Sequence, residues 1–566
     1  MAKKRFTYRY HIVTALLILG ILFIFARLVD LQILRHEELT EQANRQYHMT
    51  IELEARRGDV FDRNENAFAT TLVVQSSYAV PRIIPEGEKA ILVNLLSKGL
   101  SLKKSFVRSR LDKDRSFVWM KRKLTGDEAK FIRDLKHPAI QLMEEPKRFY
   151  PGGSLLAQIL GFCNIDNKGL EGLELYMNKT LQGKPGYRKS KRDAKGREVK
   201  ALVLEEVPPV HGNDVILNVQ QFIQYVVERE LDKAYKQWNA KGGIAIVMDP
   251  HSGQVLAMAS RPTYDLNDLH DAKADAKRSR GITDVFEPGS IFKVVTAAAA
   301  LNEGVVSMRD TFFCENGEYR YPYARRVIHD VHAYGELTFP QVIEKSSNIG
   351  TVKIAMKLGE EKLYKYIRSF GFGSATNIDF PGEVNGIVHP LDKWSKVSIT
   401  SVPYGQEVAA TAIQMLNALN VIANGGELMR PYIVNRVRDK HGVVIEHKEP
   451  KVIRRVISPK VADTIRDIMV QVVEKGTGKN AQVDGVKVGG KTGTSQKILP
   501  TGGYSHSEFV SSFIGFAPAD KPLFTAIIVL DEARPQYYGG VVAAPVFKAI
   551  AEDILPFLGH SVKKDT

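Results

Sequence analysis

The sequence predicts a multidomain α/β (α+β) protein: an N-terminal transmembrane helix, an extended module of mixed structure, and a large C-terminal domain built on a central antiparallel sheet flanked by helices. Three observations lead there. A basic N-terminus precedes one long apolar run. Strand-like segments stand at both ends of the last two-thirds of the chain, with helical segments between them. Three short chemical strings fall in order inside that same part. A chain of 566 residues is expected to hold two or three domains, and 44% hydrophobic with 25% charged residues supplies ample core material.

The first element is the apolar run from Ile12 to Ala26, preceded by Lys3, Lys4, Arg5 and Arg9 and interrupted by Thr14 and Gly20. As helix that run covers about 22 Å, short of a bilayer core of roughly 30 Å. Extended from Tyr8 to Val29 it reaches about 33 Å, with Arg27 snorkelling outward. No small-x-small cleavage site follows in Arg27 to Gln32, so an uncleaved anchor is expected. Residues 1–10 are then a cytoplasmic tail, 11–30 the membrane span, and everything beyond is exported. The expected location is the cytoplasmic (inner) membrane, single-pass, with the catalytic part on the periplasmic or extracellular side.

Residues 31–210 read as one extended, non-catalytic module. Leu31, Ile33, Leu34 and Leu39 keep a helical pattern, so the anchor continues outward as a stalk. Arg57-Gly58-Asp59-Val60-Phe61-Asp62-Arg63-Asn64 follows as a charged turn, and Tyr150-Pro151-Gly152-Gly153 and Gly169-Leu170-Glu171-Gly172 mark tight backbone turns. Net charge is +15, and its one dense run, Lys184 to Lys200, reads as a solvated loop. No zinc-finger spacing, helix-turn-helix signature or aromatic-basic interleaving accompanies that charge, which excludes nucleic acid as a partner. Two cysteines, Cys163 and Cys314, rule out a disulfide scaffold and leave their pairing open. No metal-ligand spacing appears, and neither a metal nor a cofactor is expected.

Val207-Pro208-Pro209 makes the linker to a domain expected over 211–560. Val215 to Val219 reads as a strand. Gln220 to Trp238 reads as a helix with Phe222, Val226, Val227, Leu231 and Tyr235 on one face. Gly243 to Met248 and Val255 to Ala259 flank the turn Asp249-Pro250-His251-Ser252-Gly253, a hairpin. Val510 to Phe516 and Phe524 to Leu530 are buried-strand candidates near the other end, so both ends of the domain should close one sheet.

The chemistry lies in three strings: Ser290-Ile291-Phe292-Lys293, Ser346-Ser347-Asn348 and Lys491-Thr492-Gly493-Thr494. Ser-x-x-Lys recurs at Ser101/Lys104 and Ser561/Lys564 and is weak alone, whereas the other two patterns occur once each. Pro288 breaks the chain just before a helix whose buried face is Ile291, Val294, Val295, Ala298, Ala299 and Leu301. Ser290 then sits in the first turn, where free N–H groups favour negative charge. A serine alcohol needs a neighbour to take its proton, and Lys293 is one turn away. Bringing a lysine from about 10.4 toward 7 costs roughly 4–5 kcal/mol, met by burial and a second cation, for which Lys491 is the candidate. Ser346 is placed to relay a proton, unless it is only the cap of the helix after it. Asn348 would hold substrate and Lys293. Val486 to Thr494 alternates like an edge strand able to pair an extended peptide, with Lys491, Thr492 and Thr494 meeting a carboxylate and Gly493 allowing close approach.

These strings, in this order, resemble the class B penicillin-binding proteins, membrane-anchored peptidoglycan D,D-transpeptidases, and within them the division-type septal (FtsI-like) enzymes. Arg57-Gly58…Asp62-Arg63-Asn64, Arg148-Phe149-Tyr150-Pro151 and Gly169-Leu170-Glu171-Gly172 resemble the motifs of that family's pedestal, although Glu65 stands where a glycine is usual. Thr283 to Ser290 and Tyr537-Tyr538-Gly539-Gly540 to Phe547 match closely; in Tyr404-Gly405-Gln406 to Gln414, Ala412 replaces an expected proline. The resemblance implies a pedestal over 31–210 and a penicillin-binding transpeptidase domain over 211–560. It implies that Ser290 attacks the penultimate D-Ala carbonyl of a stem pentapeptide and passes the acyl group to a neighbouring stem's amine in a 4→3-type crosslink, with an oxyanion held by the N–H groups of Ser290 and Thr494. Implied partners are peptidoglycan stem peptides, β-lactams as acylating inhibitors, a membrane glycosyltransferase and divisome proteins. The alternatives are an elongation-type class B enzyme, a serine β-lactamase, a bifunctional penicillin-binding protein and a non-catalytic β-lactam sensor or divisome scaffold.

Overall fold

The computed structural model describes residues 2–192, 198–499 and 502–560. Ser561, Lys564 and the centre of the basic run lie outside the described residues. Helix Ala2–Val29 continues through a π-helical turn, Asp30–Leu34, into helix His36–Tyr47. The stretch Tyr8–Leu34 is long and apolar enough to cross a membrane.

Packing divides the chain into two compact units. One comprises Met1–Arg56, Val73–Pro146 and Gly183–His211. Helices Glu86–Gly99, Lys104–Leu111 and Gly126–Leu135 close a small core of Leu96, Leu100, Val107, Leu111, Met120 and Ile132. A capping box between Thr125 and Glu128 starts the third of these helices. From Gly186 to Arg192 and from Glu198 onward the basic run is strand rather than solvated loop. Gly186–Arg192 pairs antiparallel with His48–Leu53 and with Glu198–Val207. Arg188 meets Glu206 at 3.0 Å and Lys189 meets Glu205 at 2.7 Å across the ladder. The acidic residues that neutralise the run stand on the returning strand, so its local charge density misled the sequence reading.

The second unit comprises Arg57–Leu72, Lys147–Gln182 and Gly212–Thr566. Two segments of the expected 31–210 module therefore pack with the C-terminal part, and a buried ionic knot ties the two to each other. The Glu174 carboxylate accepts from Arg57 and Arg148, both at 2.6 Å, with all three side chains almost fully buried. Strand Val60–Phe61 also runs parallel to Asp214–Leu217, which pairs in turn with Val434–Arg438. The predicted strand near 215 thus belongs to this outlying sheet. Glu65 adopts φ +67°, the conformation a glycine would take there, and bonds Arg438 at 2.8 Å, so the turn survives the departure from the family pattern.

The main sheet has five antiparallel strands: β1 (Gly242–Met248), β2 (Val255–Arg261), β3 (Gly489–Ile498), β4 (Tyr504–Ala517) and β5 (Phe524–Asp531), in the order β2-β1-β5-β4-β3. The first hairpin and the last three strands do close one sheet, as the sequence predicts. Its faces alternate. Ile244, Ile246, Ile514 and Ile527 enter one core, and Ala245, Val247, Phe513 and Ile528 the other. The second core is covered by α1 (Gln221–Gln237) and α6 (Ala544–Phe557); the first holds α2 (Lys293–Asn302), α3 (Asn348–Leu358), α4 (Ala412–Ala423) and α5 (Pro459–Glu474). In α1 the buried position belongs to Ile223, while Phe222 turns outward to stack on Phe557, a correction of one residue to the predicted face. Helix α2 is buried all round from Lys293 to Ala300 rather than on the one predicted face, and Leu301 of that face is only partly buried. Ala412 occupies the first position of α4 behind the capping box Thr411/Gln414, a site where proline is merely favourable, so its replacement leaves the helix start intact.

Candidate active site

Ser290 stands on a 3₁₀ turn, Gly289–Phe292, that runs directly into α2 at Lys293. Gly289 takes φ +58° there and its N–H donates to the Gly405 carbonyl at 3.1 Å, fixing the turn against a neighbouring loop. Ser290 is partly exposed, on the wall of a cleft of about 570 Å³ that Ser346, Asn348, Thr492, Gly493 and Thr494 also line. The three strings, far apart in the chain, therefore meet in one cleft.

The two lysines lie beneath it, each with 0% exposure. Lys293 Nζ donates to the Ser346 carbonyl at 2.6 Å and to Asn348 Oδ1 at 2.8 Å, and lies 3.2 Å from Ser346 Oγ. Lys491 Nζ lies 3.0 Å from the same Ser346 Oγ and 3.1 Å from the Thr492 carbonyl. Burial lowers the Lys293 ammonium from its ordinary range to about 7, against the opposing pull of the Asp330 carboxylate. Burial also pushes Lys491 well below the ordinary range, with the neighbouring Lys293 adding to it. Two charged ammonium groups sharing one hydroxyl in a dry pocket are costly, so proton loss relieves both desolvation and repulsion.

Ser346 adopts φ +60°, a left-handed conformation that costs a non-glycine residue about 1–3 kcal/mol and persists only where the surroundings enforce it. The enforcement comes from Ser347 and Asp330. Ser347, not Ser346, caps α3, its hydroxyl accepting from the Gly350 N–H at 2.9 Å. Asp330 accepts from the N–H groups of Asn348 (2.5 Å) and Ile349 (3.1 Å) and from the Ser347 hydroxyl (2.6 Å). The Asn348 amide donates to the His329 carbonyl at 2.8 Å, leaving its oxygen for Lys293. The helix start is thus tied to a loop, and the cap reading is met by Ser347, which frees the Ser346 hydroxyl.

On the opposite wall, β3 is one of the sheet's two edge strands. Thr492 Oγ1 and Thr477 Oγ1 lie 2.7 Å apart, and Thr494 Oγ1 accepts from the Gly539 N–H at 3.0 Å. Gly493 is required by contact. A Cβ there would stand 2.4 Å from Ser512 Oγ, 3.0 Å from Ile291 and 3.2 Å from the Pro288 carbonyl, prising the strand off the Ser290 turn. Asp330 and Thr477 were invisible in the sequence. Asp330 lies in a loop with no local pattern, and only its position ahead of Ser-x-Asn in the fold marks it.

Residues 243–552 match the penicillin binding protein transpeptidase domain and residues 52–217 the penicillin-binding protein dimerisation domain. The chain is 36% identical over 550 residues to stage V sporulation protein D of Bacillus subtilis, covering 96% of this chain and 85% of that protein. It is 30% identical over 558 residues to the peptidoglycan D,D-transpeptidase FtsI of Escherichia coli, covering 97% and 92%. A crystal structure of penicillin binding protein 3 from Mycobacterium tuberculosis complexed with aztreonam superposes with a TM-score of 0.71 at 28% identity, over 91% of this chain and 98% of that one. A cleft-borne serine above buried lysines, on this sheet, defines a serine acyltransferase. The chain belongs to the class B penicillin-binding proteins.

Proposed function

We propose that the protein crosslinks peptidoglycan stem peptides by D,D-transpeptidation through an acyl-enzyme on Ser290. The observation that carries this is the sharing of Ser346 by two buried lysines in the cleft that Ser290 lines. A neutral Lys293 amine has two N–H bonds and one lone pair. Its N–H bonds go to the Ser346 and Asn348 carbonyl oxygens, which leaves the lone pair to take the Ser290 proton. Ser290 Oγ then bonds to the penultimate D-Ala carbonyl carbon. The resulting oxyanion is met by the N–H groups of Ser290 and Thr494.

As the peptide C–N bond breaks, the departing D-Ala nitrogen needs a proton. Lys293, once it carries the Ser290 proton, has a third N–H for Ser346 Oγ, which also accepts from Lys491, so the Ser346 O–H donates its proton to the departing nitrogen and is replaced by the one on Lys293. The substrate carboxylate, seated at Thr492 and Thr494, favours charge on Lys491. In the second half, a neighbouring stem's amine attacks the acyl carbon, its surplus proton returns through Ser346 and Lys293 to Ser290, and the 4→3 crosslink is released.

Residues 1–10 form a cytoplasmic tail, 11–30 the single-pass anchor, 31–210 the pedestal and 211–560 the exported transpeptidase domain, an assignment supported by the matches at 52–217 and 243–552. The role is in septal wall synthesis, with a membrane glycosyltransferase and divisome proteins as partners and β-lactams as inhibitors. Similarity over nearly the whole chain to a protein named FtsI supports it. D-alanine release from a stem pentapeptide, lost in Ser290→Ala, tests the chemistry; release undiminished in that variant overturns it. A tagged copy at midcell supports the septal role, and one spread along the lateral wall overturns it.

A further inference from the structure

A second cavity of about 560 Å³ adjoins the catalytic cleft, and Ser495 and Gln496 line both. Its wall carries one carboxylate without a counter-ion. Glu287 is only 9% exposed, and Oε1 accepts from the Glu407 N–H at 2.8 Å and the Tyr504 hydroxyl at 3.3 Å. Oε2 is buried with no hydrogen-bond partner, and among the described residues no cation pairs with Glu287. The cations that do line the cavity are committed elsewhere. Arg280 holds Asp284 at 2.8 Å and Asp275 at 2.6 Å, Arg278 holds Asp284, and Lys497 holds Asp531 and Glu532. A buried carboxylate on a cavity wall with an unfilled acceptor atom is a costly arrangement, relieved when a small turn of the side chain brings that atom to a donor on a ligand.

Resting on the transpeptidase reading above, we infer that this cavity binds the amine-bearing side chain of the donor stem peptide's third residue, with Glu287 as its counter-charge. The geometry follows from the strand. A donor whose C-terminal carboxylate sits at Thr492 and Thr494 and which pairs antiparallel with β3 has its upstream residues beside Ser495 and Gln496, at the cavity. Glu287 is three residues from Ser290, so their Cα atoms lie within about 11 Å. One extended residue plus a four-carbon side chain spans roughly 10 Å. A 4→3 crosslink requires an amine on the third residue of the acceptor. Donor and acceptor stems are alike, so the donor carries that amine one residue upstream of the acyl carbonyl. The acceptor's own amine is not the cavity's target, because it must reach the acyl carbon. The Glu287 carbonyl accepts from Ser495 Oγ at 2.7 Å, so the recognising residue is fastened to the strand that reads the peptide.

The test uses the full chain in detergent and two pentapeptides ending in D-Ala-D-Ala, one with lysine and one with norleucine at the third position. D-alanine release is followed as kcat/KM. The wild type is expected to favour the lysine peptide by about tenfold or more, the weight of one charge-assisted hydrogen bond. In Glu287→Gln the preference falls to near unity, through the lysine peptide alone. Equal rates for the two peptides in the wild type, or a preference that persists in Glu287→Gln, overturns the inference. Ser290 labelling by a penicillin is scored in parallel. An unlabelled wild type sinks the transpeptidase reading and this one with it, whereas normal labelling without peptide preference sinks this one alone. If Glu287→Gln is itself unlabelled, Ile387→Lys decides. Ile387 lines the cavity with 51% exposure, so the substitution is expected to fold and to place a competing cation there. It should slow the lysine peptide and spare the norleucine one; an equal effect on both overturns the inference.

Discussion

Lys293 is the residue on which the chemistry turns, and its burial gives a prediction with a definite sign. Acylation needs the neutral amine, so the rate of penicillin acylation should rise about tenfold per pH unit below about 7 and level off above it. A flat profile between pH 5 and 9 contradicts this. The same depression makes the unfolded chain bind more protons than the folded one between about pH 7 and the ordinary lysine range. Stability therefore rises with pH across that window, and Lys293→Met should reduce that rise, leaving the part that the depressed Lys491 contributes. Asp330 enters as a positioning residue, since it holds the α3 start and its charge opposes the depression of Lys293. Asp330→Asn should slow acylation about 10- to 100-fold and move the midpoint of the pH profile to lower pH; a slower enzyme with an unmoved midpoint would mean a purely structural role. At this scale the sequence was informative about Ser290, Lys293, Ser346, Asn348 and Lys491, whose spacings are local. It was silent about Asp330 and Thr477, because loop residues acquire their roles only when the chain folds them against a motif. It left Ser346 open between cap and proton relay, because backbone conformation alone hands the cap to the adjacent Ser347.

Among elements, β3 against the Ser290 turn is the contact that sets the cleft. Gly493→Ala forces a Cβ into Ser512 and Ile291, and the strand must retreat from the nucleophile. The expected result is a loss of about 100-fold in acylation with at most about 1–3 kcal/mol of stability, read by penicillin labelling beside thermal unfolding. Near-normal labelling would mean that the wall yields without consequence. The strands of the main sheet were legible because burial on both faces leaves continuous apolar runs such as Gly243 to Met248. Helix α1 was legible to within a residue of its ends, and its face only in part, since Phe222 found a partner on α6, more than three hundred residues away. The strand made by the basic run was missed for the same reason at another place: its counter-charges return on a partner strand that local composition does not announce.

Across the molecule, the knot of Arg57, Arg148 and Glu174 binds segments 57–72 and 147–182 to each other. Burial alone would raise the Glu174 carboxylate, but Arg148 and Arg57 outweigh it and hold it below the ordinary range. Glu174→Ala leaves two guanidinium groups buried without their anion and should cost about 3–5 kcal/mol, seen as a lowered unfolding midpoint, while Ser290 remains able to react in the folded fraction. Unchanged stability would mean that the segments are held by apolar packing. The order of apolar helix, mixed module and sheet domain was readable from the sequence, whereas the interleaving of segments 57–72 and 147–182 with the C-terminal part was not, because single buried charges carry no sequence signature of their partners. The central claim is that one alcohol, Ser290, is the nucleophile, made reactive by a neutral lysine beneath it. Peptide mapping by mass after exposure of the folded chain to a penicillin tests it most directly: the adduct should lie on Ser290 alone and form far more slowly in Lys293→Ala. An adduct on another residue, or none on a folded wild-type chain, would contradict it.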